Sequence, residues 1–179
     1  MSVDSMIDAL HAAGPHPELA DRLMLFGQFV GAWDVDVTFI QPDGTRMEVP
    51  AEWHFGWALE GRAVVDVWIA PRRSLRDGSG DGEYGASLRF FDPTVDGWRS
   101  TWIGPGRRVV MPFVARPVGD EIVLEGSFAE GVLEQWVFSD VSEDRFQWRA
   151  VESHDGGATW TTKQEMAARR RGGDAGRAG

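Results

Sequence analysis

The chain has no cysteine, a single tyrosine and a single lysine, Lys163, among its 179 residues. Without cysteine it has no disulfide, and every thiolate metal site is excluded. Positive charge is scarce as well. The net charge of −10 disfavours nucleic acid and anionic membranes as partners. No apolar run approaches the roughly 20 residues of a membrane span. Residues 1–15 lack the basic start and apolar centre of a signal peptide, so a cytoplasmic location is the expectation. There is no Gly-x-Ser-x-Gly elbow, P-loop or dinucleotide fingerprint. The four histidines, His11, His16, His54 and His154, show neither His-x-His nor Glu-x-x-His spacing. Zinc is therefore not expected, and no cofactor is expected either.

What the chain does have is aromatic rings in alternating runs, nine tryptophans and ten phenylalanines. Trp33, Val35, Val37 and Phe39 fall on one face of a run whose other face carries Asp34, Asp36 and Thr38. Met47, Val49, Ala51, Trp53, Phe55 and Trp57 repeat the pattern. A period of two means strand with one dry face. Turn residues then divide the chain into ten such runs, near 32–40, 46–58, 61–70, 84–91, 96–104, 108–116, 120–128, 131–139, 144–153 and 158–168. Ten short strands on tight turns predict an antiparallel up-and-down meander that closes on itself, which removes exposed edges. The fold class is mainly β. Ahead of the strands, residues 2–13 suit a short helix. Pro17, Glu18 and the spacing of Leu19, Leu23, Phe26 and Val30 predict a second helix that stops at Gly31 and caps the barrel. Residues 1–16 thus form an N-terminal segment, 17–169 one barrel domain, and 170–179 an Arg/Gly-rich tail with little to bury.

Two motifs add to this. Gly31-Ala32-Trp33, after a helix and at the start of a strand, resembles the Gly-x-Trp opening of lipocalins and other calycin barrels. That resemblance implies a tryptophan plugging one barrel end beneath a C-terminal arginine, for which Arg169 is the candidate. More widely, Phe29-Val30-Gly31-Ala32-Trp33, Leu59-Glu60-Gly61-Arg62, Arg89-Phe90-Phe91-Asp92-Pro93, Trp98, Trp102 and the segment from Ser153 to Trp160 resemble a family of uncharacterised bacterial calycin-like domains. The resemblance implies the fold and little chemistry. Nitrobindin-like haem barrels look similar but are glycine-rich after the tryptophan, where this chain has Asp34-Val35-Asp36. The second motif, Ser153-x-Asp155-x-Gly157-x-Thr159-Trp160, is similar to the Asp box of sialidases. Its physics is that of a hairpin, with Asp155 accepting turn N–H groups and Trp160 packing beneath. One copy in a short chain is not a propeller.

Aromatic rings suit pockets for organic molecules, because they bring area with few polar demands. Binding of a small hydrophobic or aromatic molecule is the leading expectation, with a cofactor-independent isomerase, cyclase or lyase as the alternative. A filled, purely structural barrel is a third reading. The expected walls are Trp57, Trp68, Trp98, Trp102 and Trp136. Arg62, Asp66, Arg89 and Glu134 supply polar points, and His54, Arg62 and Asp66 are the catalytic candidates. Arg62 and Asp66 share a face of one strand with Trp68. His54 lies opposite the Trp53, Phe55 and Trp57 face. Residues 71–82, with Arg72, Arg73 and Arg76, are expected to overhang the mouth and to draw in an anionic ligand. A homodimer is compatible with this reading.

Overall fold

A computed structural model of the chain describes residues 3–78 and 82–172. Ten strands follow two short helices. The helices are α1 (Val3–Leu10) and α2 (Ala20–Gly27). The strands are β1 (Gly31–Ile40), β2 (Arg46–Ala58), β3 (Ala63–Ala70), β4 (Glu83–Asp92) and β5 (Gly97–Gly104), then β6 (Val109–Val118), β7 (Glu121–Ala129), β8 (Val132–Ser139), β9 (Arg145–Ser153) and β10 (Thr161–Arg170). Each pairs antiparallel with its sequence neighbours, and β1 also pairs with β10, so the sheet is a closed barrel without free edges. Among the described residues no helix is long and apolar enough to cross a membrane.

Alternation decides what faces inward. The register sets Trp33 opposite Trp53, Trp53 opposite Trp68, and Trp57 opposite Val64, so the apolar rows of β1, β2 and β3 meet inside. The predicted second helix is shorter than its spacing suggested. Pro17–Leu19 form a 3-10 turn, and α2 ends at Gly27 rather than at Gly31. It plugs one end of the barrel with Leu23 and Phe26, and Phe29 follows, all three at 0% exposure. Around them Trp98, Phe138, Phe55 and Phe146 pack at centroid distances of 5.0–5.9 Å. Trp57 lies directly under the helix end, where a Cβ on Gly27 would come within 2.4 Å of its ring.

The Gly-x-Trp expectation holds in shape and needs one correction in detail. Trp33 is fully buried and donates its indole N–H to the carbonyl of Phe29 at 2.7 Å. The arginine over its ring is Arg170, at 4.2 Å from the ring centroid, and not Arg169. The reason is parity. β10 reaches Arg170, which pairs with Trp33, and the neighbouring Arg169 points outward to Asp36 at 3.2 Å. Arg170 also donates to the carbonyls of Glu143, Val30 and Gln28. Arg171 bonds Asp34 at 2.7 Å, so Arg170 and Arg171, at the start of the stretch expected to be tail, are tied to the barrel. Residues 173–179 of that tail, and 79–81 of the long loop, lie outside the described residues.

The Asp-box segment turns β9 into β10. Asp155 accepts from the backbone N–H and hydroxyl of Thr159, and Ser153 Oγ accepts from the N–H of Gly157. Gly156 and Gly157 take φ of 73° and 93°, a region that favours glycine. Trp160 lies beside Gly157 yet remains 37% exposed, so it covers the turn rather than joining the core.

Candidate functional site

The barrel is filled at the α2 end and open at the other. In the open half, a chamber of about 260 Å³ is walled by Trp53, Trp68, Trp102, Trp136 and Trp148, with Met111 and Ala150 among its smaller residues. The five indoles form one chain of near-perpendicular contacts. Trp68 meets Trp53 at 5.2 Å and 67°, and Trp53 meets Trp148 at 6.3 Å and 84°. Trp148 meets Trp136 at 5.4 Å and 65°, and Trp136 meets Trp102 at 6.2 Å and 68°. Edge-to-face packing of this kind is favourable beyond burial alone. Gly85 makes room for it, since a Cβ there would stand 2.5 Å from the Trp102 ring.

Carboxylates hold three of these rings by their indole N–H groups. Trp53 donates to Asp66 at 2.6 Å, Trp68 to Glu83 at 2.8 Å and Trp136 to Glu134 at 2.7 Å. A wall whose rings are pinned in this way does not have to be ordered when something binds. Burial raises the Glu134 carboxyl above the usual carboxylate range; the Trp136 N–H and Lys163 oppose the rise, and Glu152 adds to it. A larger vestibule of about 590 Å³ adjoins the chamber and shares Arg107, Lys163 and Gln164 with it. Pro71, Leu75, Arg76, Asp77, Gly78 and Gly82 of the long loop line this vestibule. The expectation that the loop overhangs the mouth is met by these described residues.

The expected site residues separate into three groups. Trp68, Trp102, Trp136 and Glu134 come together around the chamber. Trp57, Trp98, Asp66 and Arg89 lie in the filled half instead. The Asp66 carboxylate and the Arg89 guanidinium form a direct, fully buried ion pair. The Arg89 guanidinium sits 5.0 Å from the Phe26 ring centroid and 5.9 Å from that of Phe55. Burial lowers its pKa to about 9, which leaves it charged at neutral pH. Asp66 reaches the chamber through its bond with Trp53. The third group lies outside the barrel. Arg62 precedes β3 and reaches His16 at 2.9 Å and Glu18 at 3.5 Å, so its supposed partnership with Asp66 does not exist. His54 bonds Glu52 at 3.0 Å on the outer face. Glu52 is held by Arg73, which pulls its pKa down to about 2.

Two further indoles, Trp53 and Trp148, belong to the walls and were not among the expected set. Trp53 carried a signal, since it shares the inward face of β2 with Trp57. It lies four residues farther from α2, roughly 13 Å along a strand. Lys163 and Gln164 were also unexpected. A register shift between Thr162 and Gln164 lets consecutive residues of β10 reach the same cavities.

Two solved structures share this architecture. CPES, an S-type phycobiliprotein lyase from Guillardia theta, superposes with a TM-score of 0.56 at 10% identity, covering 83% of this chain and 92% of its own. Rv2717c from M. tuberculosis gives a TM-score of 0.54 at 13% identity, covering 88% and 99%. In fold, the chain is a calycin-like barrel of ten antiparallel strands. No family profile and no curated protein matches its sequence. At these identities the likeness is one of fold, and what this calycin-like barrel holds has to be argued from its own walls.

Proposed function

We propose that this barrel binds a small, flat, largely apolar organic molecule in the five-tryptophan chamber. One observation carries the reading: five indoles, three of them fixed by carboxylates, surround open space rather than one another's faces. A core built only for stability closes such space, as the α2 half of the same barrel does. The chamber is slightly below the usual range of roughly 300–1,000 Å³ for ligand sites, and the vestibule extends it. Titration with the neutral fluorophore N-phenyl-1-naphthylamine tests this. It should quench tryptophan emission with micromolar affinity. Ala150→Phe, which places a ring in the chamber, should abolish the response while the protein stays folded. An unresponsive parent, or an Ala150→Phe variant that binds as the parent does, would count against the reading.

A second reading is favoured by Glu134. A carboxyl in an aromatic chamber, with its pKa raised by burial, keeps its proton to higher pH than an ordinary carboxyl and is placed to donate it. The chamber would then orient a reactive substrate for a cofactor-independent isomerisation, cyclisation or elimination. Turnover that is lost in Glu134→Gln while binding is retained would distinguish this enzyme from a carrier.

A further inference from the structure

Among the described residues, the buried polar atoms left without partners around the chamber and vestibule are donors. Trp148 is 4% exposed, and its indole N–H has no hydrogen-bond partner. Gln164 Nε2 and Arg76 Nη1 are also buried and unbonded. Trp148 walls the chamber, Gln164 lines both spaces, and Arg76 lines the vestibule. Among the described residues, the ionisable side chains that line the vestibule are Arg76, Arg107, Lys163 and Asp77. Nearby carboxylates are already engaged. Glu83 accepts from Trp68 and pairs with Arg107 at 3.1 Å, and Glu152 pairs with Lys163 at 3.0 Å. Buried donors without acceptors are costly. Donors left over on the walls of an open space indicate that its occupant brings acceptors.

We infer that the ligand is an amphipathic organic acid. Its flat apolar body lies among the tryptophans, and its carboxylate lies in the vestibule against Arg107 and Lys163, with Arg76 and Gln164 beside them. This rests on reading the chamber as a binding site. The Arg107 and Lys163 side chains are 61% and 38% exposed, so their pull on an anion weakens with salt. On a chain of net charge −10, Arg76, Arg107 and Lys163 are a local cluster of cations, of which Arg107 and Lys163 share their charge with Glu83 and Glu152, and such a cluster favours an anion at one place.

The test is competition for bound N-phenyl-1-naphthylamine by 1-naphthaleneacetic acid and by its methyl ester. At low ionic strength the acid should bind about tenfold or more tighter than the ester, the scale of one charge-assisted hydrogen bond. The gap should narrow at high salt. The double variant Arg107→Gln/Lys163→Gln should reduce the affinity of the acid to that of the ester and leave the ester unchanged. Arg169→Gln, the same kind of charge loss elsewhere on the barrel, should change neither. An ester that competes as well as the acid, or a preference for acid that survives in the double variant, overturns the inference and leaves the chamber reading standing. If neither fluorophore nor competitor binds at all, the chamber reading itself falls.

Discussion

Removing one member of the Asp66–Arg89 pair should cost far more than removing both. The two side chains are 0% exposed and in direct contact. Arg89→Met strands the buried Asp66 carboxyl without its cation, facing the Trp53 N–H. Breaking a buried pair from one side costs about 3–5 kcal/mol. In a domain of this length each kcal/mol moves Tm by roughly 2–4 °C, so Arg89→Met should lower Tm by about 6–20 °C. Asp66→Leu should do similar damage by stranding the guanidinium. In Asp66→Leu/Arg89→Met both charges are gone. Arg89 Nε and Nη2 already lack partners, so the guanidinium takes with it few bonds that the fold needs. The remaining penalty is the orphaned Trp53 N–H, about 1–3 kcal/mol. Thermal and urea melts of the parent, both single variants and the double variant measure the coupling. Losses that simply add, to within about 0.5 kcal/mol, would refute the buried pair.

Three other outcomes follow from the same geometry. Arg170→Met removes the guanidinium over Trp33 and three bonds to carbonyls; thermal melts should show a loss of about 2–3 kcal/mol. Arg169→Met should stay within about 0.5 kcal/mol of the parent. Gly85→Ala would set a Cβ 2.4 Å from the Ile103 carbonyl and 2.5 Å from the Trp102 ring, so it should lower Tm as well as shift tryptophan emission and weaken probe binding. The Glu134 pKa is raised by burial. The folded state therefore favours its protonated form, and that contribution to stability is lost as pH rises through the shifted pKa. Glu134→Gln should be more stable than the parent at pH 7, and urea melts should show the gap closing as pH falls into the ordinary carboxylate range.

Much of the barrel was legible in the chain because period-two alternation and turn residues are local signals. They placed all ten strands, the dry faces of β1 and β2, and the Asp-box hairpin. Local signals carry no depth. Trp53 and Trp57 have the same parity, and nothing near them says that α2 fills the barrel around one and leaves space beside the other. Arg62 and Asp66 also share parity, yet Arg62 sits at the turn, where residues 14–16 fold back and offer it His16. Arg169 and Arg170 differ by one residue, and choosing between them required the β1–β10 register. Lys163 and Gln164 were hidden by the irregularity in β10, which breaks the parity that exposed the other inward residues. The pairing of indole N–H groups with Asp66, Glu83 and Glu134 is a tertiary fact. It depends on side chains up to fifteen residues apart meeting inside a closed sheet.

The indole region of a ¹⁵N–¹H correlation spectrum tests the central claim most directly, because each of the nine tryptophans contributes its own Nε1–H signal. Titration with N-phenyl-1-naphthylamine should move the signals of Trp53, Trp68, Trp102, Trp136 and Trp148. The unpartnered N–H of Trp148 should move most. Trp33, Trp57 and Trp98, packed around α2, and the turn residue Trp160 should stay in place. A spectrum that does not respond, or one in which Trp33, Trp57 and Trp98 shift while the five chamber indoles remain still, would contradict the account.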